Sequence, residues 1–273
     1  MGNPRGKKKG EEVKTMLSTT KVYIDSRYAI TNTGSSIEYQ IPGGVELKPT
    51  TRCWLSEFTC VASWYTIDQS NSNLFILEGA VRRGLEMPHG VYDLESFRSV
   101  MQEVLNGEGR TVGAYSVELL SAGSGGGTVR ALNVSCSSGA FAISDDETVR
   151  ALIGPPIDSI SSLVGFPTGY EQRSSHESSL VDLRRVHSLY VHSPSFGAYN
   201  SVGPRGERTI LAKIPCAVGY GQLIVFQASA SEHDYIEAGV SGLTTLRLEL
   251  RDAGGRLLNL HGTHWSATLL FDL

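Results

Sequence analysis

The chain has 273 residues, of which 40% are hydrophobic and 19% charged, enough to bury the core of one large β domain or two small ones and too apolar for a disordered polymer. Its formal net charge is −4, but five cations against two carboxylates make the first fourteen residues +3 and leave −7 on everything after them. A mildly acidic body excludes a general nucleic-acid binder, while a short basic arm suits phosphates, anionic lipid or an acidic neighbour.

Residues 1 to about 20 read as a flexible basic arm in which Arg5, Lys7, Lys8 and Lys9 are the candidate interaction residues. Strand signals follow at Lys21 to Asp25 and Ile37 to Pro42, then at Arg52 to Ala62 and Asn73 to Leu77, with the aromatic corner Trp64-Tyr65-Thr66-Ile67 between the last two. Asp93 can cap a helix whose Leu94, Phe97, Val100, Met101, Val104 and Leu105 share one face before Asn106-Gly107 stops it. Two strands, Ala114 to Leu120 and Val129 to Cys136, flank a glycine-rich hairpin loop at 123–127, and Ser144 with Glu147 forms a capping box for a shorter second helix.

After a polar linker around Gln172 to Ser179, β-patterning returns at Val186 to His192, Thr209 to Ile214 and Gln222 to Gln227. Leu246, Leu248 and Leu250 then alternate with charged residues up to a turn at Asp252 to Gly255, and Trp265, Ala267, Leu269, Phe271 and Leu273 alternate beyond it, which predicts a long terminal β-hairpin with one buried face. The expected fold is mainly β: a single jelly-roll β-sandwich with a small α+β insertion and the basic N-terminal arm. Its divisions are 1–20 arm, 21–87 first part of the jelly roll, 88–167 insertion, and 168–273 the remainder.

Chemistry is scarce in this pattern. Cys53, Cys60, Cys136 and Cys216 have no metal-ligand spacing and read as reduced, buried thiols. His261 and His264 lie three apart, with His187, His192 and His233 the other donors a zinc site would need, and alternation puts His187 and the other surface histidines on solvated faces. No Gly-x-Ser-x-Gly elbow is present, and the Gly123–Gly127 run lacks the Lys-Ser/Thr of a phosphate loop. The expectation is no enzyme, no cofactor and no metal. No apolar run approaches the ~18 residues of a membrane helix, and no apolar segment follows the charged N-terminus, so neither an anchor nor a secretion signal is expected.

Several segments together resemble the penton and minor capsid proteins of double-stranded DNA viruses of the double-jelly-roll lineage, a group of virophages, Polinton-like viruses and nucleocytoplasmic large DNA viruses. They are Tyr23-Ile24-Asp25-Ser26-Arg27 with Asn32-Thr33-Gly34, Trp64-Tyr65-Thr66-Ile67 ahead of Asn71 and Asn73, and Gly90-Val91-Tyr92 leading to Leu163-Val164-Gly165-Phe166. In the C-terminal third, Leu250 to Gly255 and Leu260-His261-Gly262 continue the series.

The resemblance implies a virion structural protein made in the host cytoplasm or nucleus, and most specifically a penton: a homopentamer at the icosahedral five-fold vertices. It would contact the major capsid protein and other minor capsid proteins, and its arm would reach an inner membrane or genomic DNA. Two alternatives are a minor capsid protein that cements capsomers away from the vertices, and a receptor- or glycan-binding sandwich using loops such as Phe196 to Tyr199.

Overall fold

Alternating burial, with every second side chain inside, recurs along most of the long strands of the computed structural model, which describes residues 19–120, 130–144, 159–166, 171–196, 201–228 and 235–273. The basic residues Arg5, Lys7, Lys8 and Lys9, the Gly123–Gly127 run and the helix expected after Ser144 lie outside the described residues. The chain opens with β1 (Thr19–Asp25), β2 (Thr31–Asn32), β3 (Ser36–Glu46) and β4 (Arg52–Val61). Then come β5 (Asn73–Glu78), β6 (Val81–Glu86), helix α1 (Leu94–Leu105), β7 (Tyr115–Leu120), β8 (Ala131–Cys136), β9 (Phe141–Ile143), the short α2 (Ser161–Val164) and β10 (Ser175–Glu177). It closes with β11 (Ser188–His192), β12 (Ile210–Pro215), β13 (Leu223–Gln227), β14 (Ile236–Glu237), β15 (Gly242–Arg251) and β16 (Trp265–Asp272).

The fold is mainly β and of sandwich type. One sheet has the order β1-β16-β4-β13, with β14 also paired to β4, and the facing sheet runs β12-β11-β15-β3-β2, all antiparallel. Their inner faces share a core in which Ile24, Phe58, Leu189, Leu246, Leu248, Leu250, Leu269 and Phe271 are essentially sealed from solvent. Each such side chain contributes about 1.5–3 kcal/mol of burial, so this core dominates the stability of the sandwich.

The last two strands do not form the expected hairpin. β15 pairs with β3 and β11 while β16 pairs with β1 and β4, so they lie in opposite sheets. Asp252 to Gly255 is a turn as expected, closed by Asp252 N–H donating to Arg256 O at 2.9 Å, but it folds the chain only as far as Leu258, whose N–H bonds Leu250 O at 3.1 Å. Leu258 and Leu260 then sink into the core as the chain crosses to the other sheet. Alternation reports that one face is buried, and two strands facing each other across one core read the same as two strands side by side.

A second core sits apart from the first. The sheets β6-β5-β9 and β10-β8-β7 enclose it with α1 and α2, burying Ile67, Leu74, Phe97, Met101, Leu105, Leu132, Phe141 and Val164. Helix α1 forms as expected: Asp93 accepts from Ser96 N–H at 2.8 Å, Ser96 Oγ accepts from Asp93 N–H at 3.1 Å, and Phe97, Met101 and Leu105 fall on its inner face. This unit draws on residues Ile67 to Val181, wider than the 88–167 segment read from sequence. Leu74 and Ile76 alternate like sandwich residues but bury into the second core, and the polar stretch after Gln172 contributes β10. There Gln172 clasps Gly79, accepting from its N–H at 3.0 Å and donating to its carbonyl at 2.6 Å.

Candidate assembly interface

The second unit is rooted at one end of the sandwich, between β4 and β11. Ile67 and Gly90 exchange two backbone hydrogen bonds of 3.1 and 3.0 Å, and Thr66 Oγ1 accepts Tyr92 N–H at 3.3 Å while Thr66 O accepts from the Asn71 amide at 3.0 Å. Asp68, on the way in, forms an ion pair with Arg185, on the way out, and Arg185 Nη2 also donates to Ser70 Oγ at 2.7 Å. Partial burial works against the Asp68 charge, but hydrogen bonds from Ser70 and the Arg185 guanidinium outweigh it and hold the carboxyl below its usual range. The two crossings are thus tied to each other at the root.

Register places the N-terminal attachment at the opposite end. Thr19, where β1 begins, pairs with Asp272, which pairs with Arg52 at the start of β4. The far end of the same ladder pairs Trp265 with Cys60, next to the root of the second unit. The start of β1 and the root of the second unit therefore lie at opposite ends of the sandwich.

The two outer faces of the sandwich differ in chemistry. On the β15 sheet, Glu249 is buried between Arg247 and Arg251 at 2.8 and 2.6 Å, and these cations overcome desolvation to keep its carboxyl ionised. His192 pairs with Glu249 in the ladder but is buried and bonded to Thr209 Oγ1 at 2.9 Å, and desolvation pushes its pKa down. On the β16 sheet the outer rows are hydroxyl-rich: Ser266 Oγ meets Thr59 Oγ1 at 2.7 Å, and Thr268 lies buried under Glu57, to which its hydroxyl donates at 3.2 Å.

Exposed apolar side chains collect at the two edges of this sheet. Tyr23 is 66% exposed on β1, with Tyr28 at 75% and Ile30 at 59% just beyond it. On β13 at the other edge Leu223 is 55% and Val225 63% exposed, with Tyr220 at 52% before them.

The residues that carry the sequence resemblance are mostly scaffold. Asp25 caps the 3-10 turn Ser26–Tyr28, Ser26 Oγ accepts Trp265 N–H at 3.0 Å, and Gly34, at φ 87°, presents its carbonyl to Trp265 Nε1 at 3.0 Å. His261 sits at φ 47°, stacks on Tyr65 at 3.9 Å and has Nδ1 2.7 Å from Ser63 O, which anchors the crossing into β16. Among the described residues no three His, Cys, Asp or Glu side chains are grouped to hold a metal ion. All four cysteines are free and buried.

His187 is exposed at 65%, whereas Phe196, offered as a loop contact, is buried against Phe271 at 6.2 Å, which corrects that expectation. The sequence reading missed the edge residues. A signal was present: Leu223-Ile224-Val225-Phe226 is apolar on both faces, a pattern that in an edge strand leaves one apolar face uncovered.

No protein-family model and no curated protein matches the chain. The chain is similar in fold to the mavirus penton protein. That protein's crystal structure, from selenomethionine-labelled material, superposes with a TM-score of 0.50 at 12% sequence identity, over 93% of this chain and 98% of that one. The likeness is one of fold, a penton-like arrangement that takes in both the sandwich and the second unit.

Proposed function

We propose that this chain is a structural protein of a virus capsid, and specifically a penton in which five copies ring an icosahedral vertex. The observation that carries the proposal is the near end-to-end likeness in fold to a penton protein. The sheet orders support a single jelly roll. Counting only strands of five or more residues outside the second unit, the sheets run first-eighth-third-sixth and second-seventh-fourth-fifth, the winding of two Greek keys.

In this reading the work is done by interfaces, and catalysis has no part. The second unit projects from the outer end of the ring. The arm with Arg5, Lys7, Lys8 and Lys9 leaves from the opposite end, toward the capsid interior, where +3 of charge favours phosphates of genomic DNA or anionic lipid. Neighbouring copies, the major capsid protein and other minor capsid proteins are its partners in the virion.

The test is the mass of the purified full chain by size exclusion with light scattering. The mass of five chains supports the penton. A three-chain mass supports a cementing capsid protein instead, and a stable monomer at micromolar concentration overturns both.

A further inference from the structure

A ring of identical subunits needs two different surfaces on each copy, one for each neighbour, and it closes only if those surfaces stand at the same height along the ring axis. The sandwich meets both conditions at the edges of its β16 sheet. The edge strands β1 and β13 are three strand spacings apart, about 14 Å. One ladder row runs Asp25–Ser266–Thr59–Val225 across all four strands. Tyr23 lies one step toward the arm from this row, and Tyr28 and Ile30 follow just past it. Leu223 and Tyr220 are past the row in the same direction, since Leu223 pairs with Val61 at the end of β4 that carries the second unit. The two apolar patches are therefore level, on opposite edges of one molecule.

The edges are also different in shape. On the β1 side the apolar residues protrude, Tyr28 most of all. On the β13 side a groove of about 370 Å³, lined by Leu55, Ile210, Leu211, Phe226 and Ile236, lies toward the arm from the apolar patch, since Ile236 pairs with Cys53.

We infer that neighbouring copies of this chain meet edge to edge. Tyr23, Tyr28 and Ile30 of one copy pack against Tyr220, Leu223 and Val225 of the next. This inference rests on the capsid reading and adds which surfaces make the ring. Two buried tyrosines bring about 300–500 Å² to the contact, the centre of an interface whose polar rim completes the ~800 Å² per partner of a stable complex.

The experiment uses two full-length variants, Tyr28→Glu and Val225→Glu, both at exposed positions, with circular dichroism to verify folding and light scattering to read mass. Each variant alone is expected to lose self-association by about 30-fold or more. Mixed one to one, they retain a single intact pairing, the β1 edge of the Val225 variant with the β13 edge of the Tyr28 variant, so a dimer forms and nothing larger.

Variants that fold and still assemble like the wild type overturn the edge pairing, as does a mixture that stays monomeric. A wild-type chain that never assembles counts against the capsid reading as well, whereas wild-type rings that survive both substitutions count against the edge pairing alone.

Discussion

Glu78 and Arg83 form a buried ion pair in the second unit, and replacing Glu78 by Gln should cost that unit far more than the loss of one hydrogen bond. The carboxylate side chain is 0% exposed and the guanidinium 6%. Glu78 accepts from Arg83 Nη1 at 2.8 Å, from Tyr115 OH at 2.8 Å, and from Thr111 N–H and hydroxyl at 2.6 and 2.9 Å. Arg83 in turn holds the carbonyls of Leu105 and Glu108 at 3.4 and 3.0 Å, tying β6 to the end of α1. The Gln variant leaves the guanidinium buried without its counter-charge, a change that costs about 3–5 kcal/mol. With a urea dependence of about 2 kcal/mol per molar, the midpoint falls by about 1.5–2.5 M.

Two probes separate the units. The helical circular dichroism signal reports α1 in the second core, whereas Trp54, Trp64 and Trp265 all belong to the sandwich side. Only the helical transition should move. A shift below about 0.5 M would refute the role of the pair, and equal shifts in both probes would refute the independence of the cores. The pH dependence has a definite sign. Burial raises the Glu78 pKa, but the bonds from Thr111, Arg83 and Tyr115 outweigh it and leave the folded-state value below 4.5. Its contribution is therefore present above the unfolded value and lost as pH falls through the lower folded one, where wild type and variant should converge in stability.

Three further outcomes follow from the packing. Gly165 ends α2 at φ 67°, and a Cβ there would stand 2.6 Å from Ser179 Oγ and 3.0 Å from Leu180 O, so Gly165→Ala should destabilise the second unit by more than ~1 kcal/mol in the same urea titration. Burial pushes the thiols of Cys60 and Cys216 up to about 12 and about 11, so a disulfide-exchange reagent at mildly alkaline pH should label these two only once the protein unfolds. Asp68→Asn unties the two crossings, and hydrogen exchange at the Ile67 and Gly90 amides should quicken while β4 and β16 stay protected; unchanged exchange would show that the ion pair does not hold the root.

Local chemistry was legible from the sequence and partnership was not. Helix α1 was readable to its cap because Asp93, Ser96, Phe97, Met101 and Leu105 all act within one element. Strand positions were readable because burial alternates along them. Pairing was not, since Leu250 and Leu269 meet across the core rather than side by side, and Leu74 looks the same in either core. The resemblance motifs pointed to the fold through residues such as Asp25, Gly34 and Gly90 that fix turns and crossings. The candidate interface at Tyr28, Ile30, Leu223 and Val225 escaped notice because exposure depends on which strands end up at an edge.

The most direct test of the whole account is an averaged electron-microscope image of the purified full-length protein viewed down its assembly axis. The account predicts closed rings of five, each copy standing with its sandwich edges against its neighbours and its second unit at one end of the ring. Averages with three-fold symmetry, or single particles with none, would contradict it.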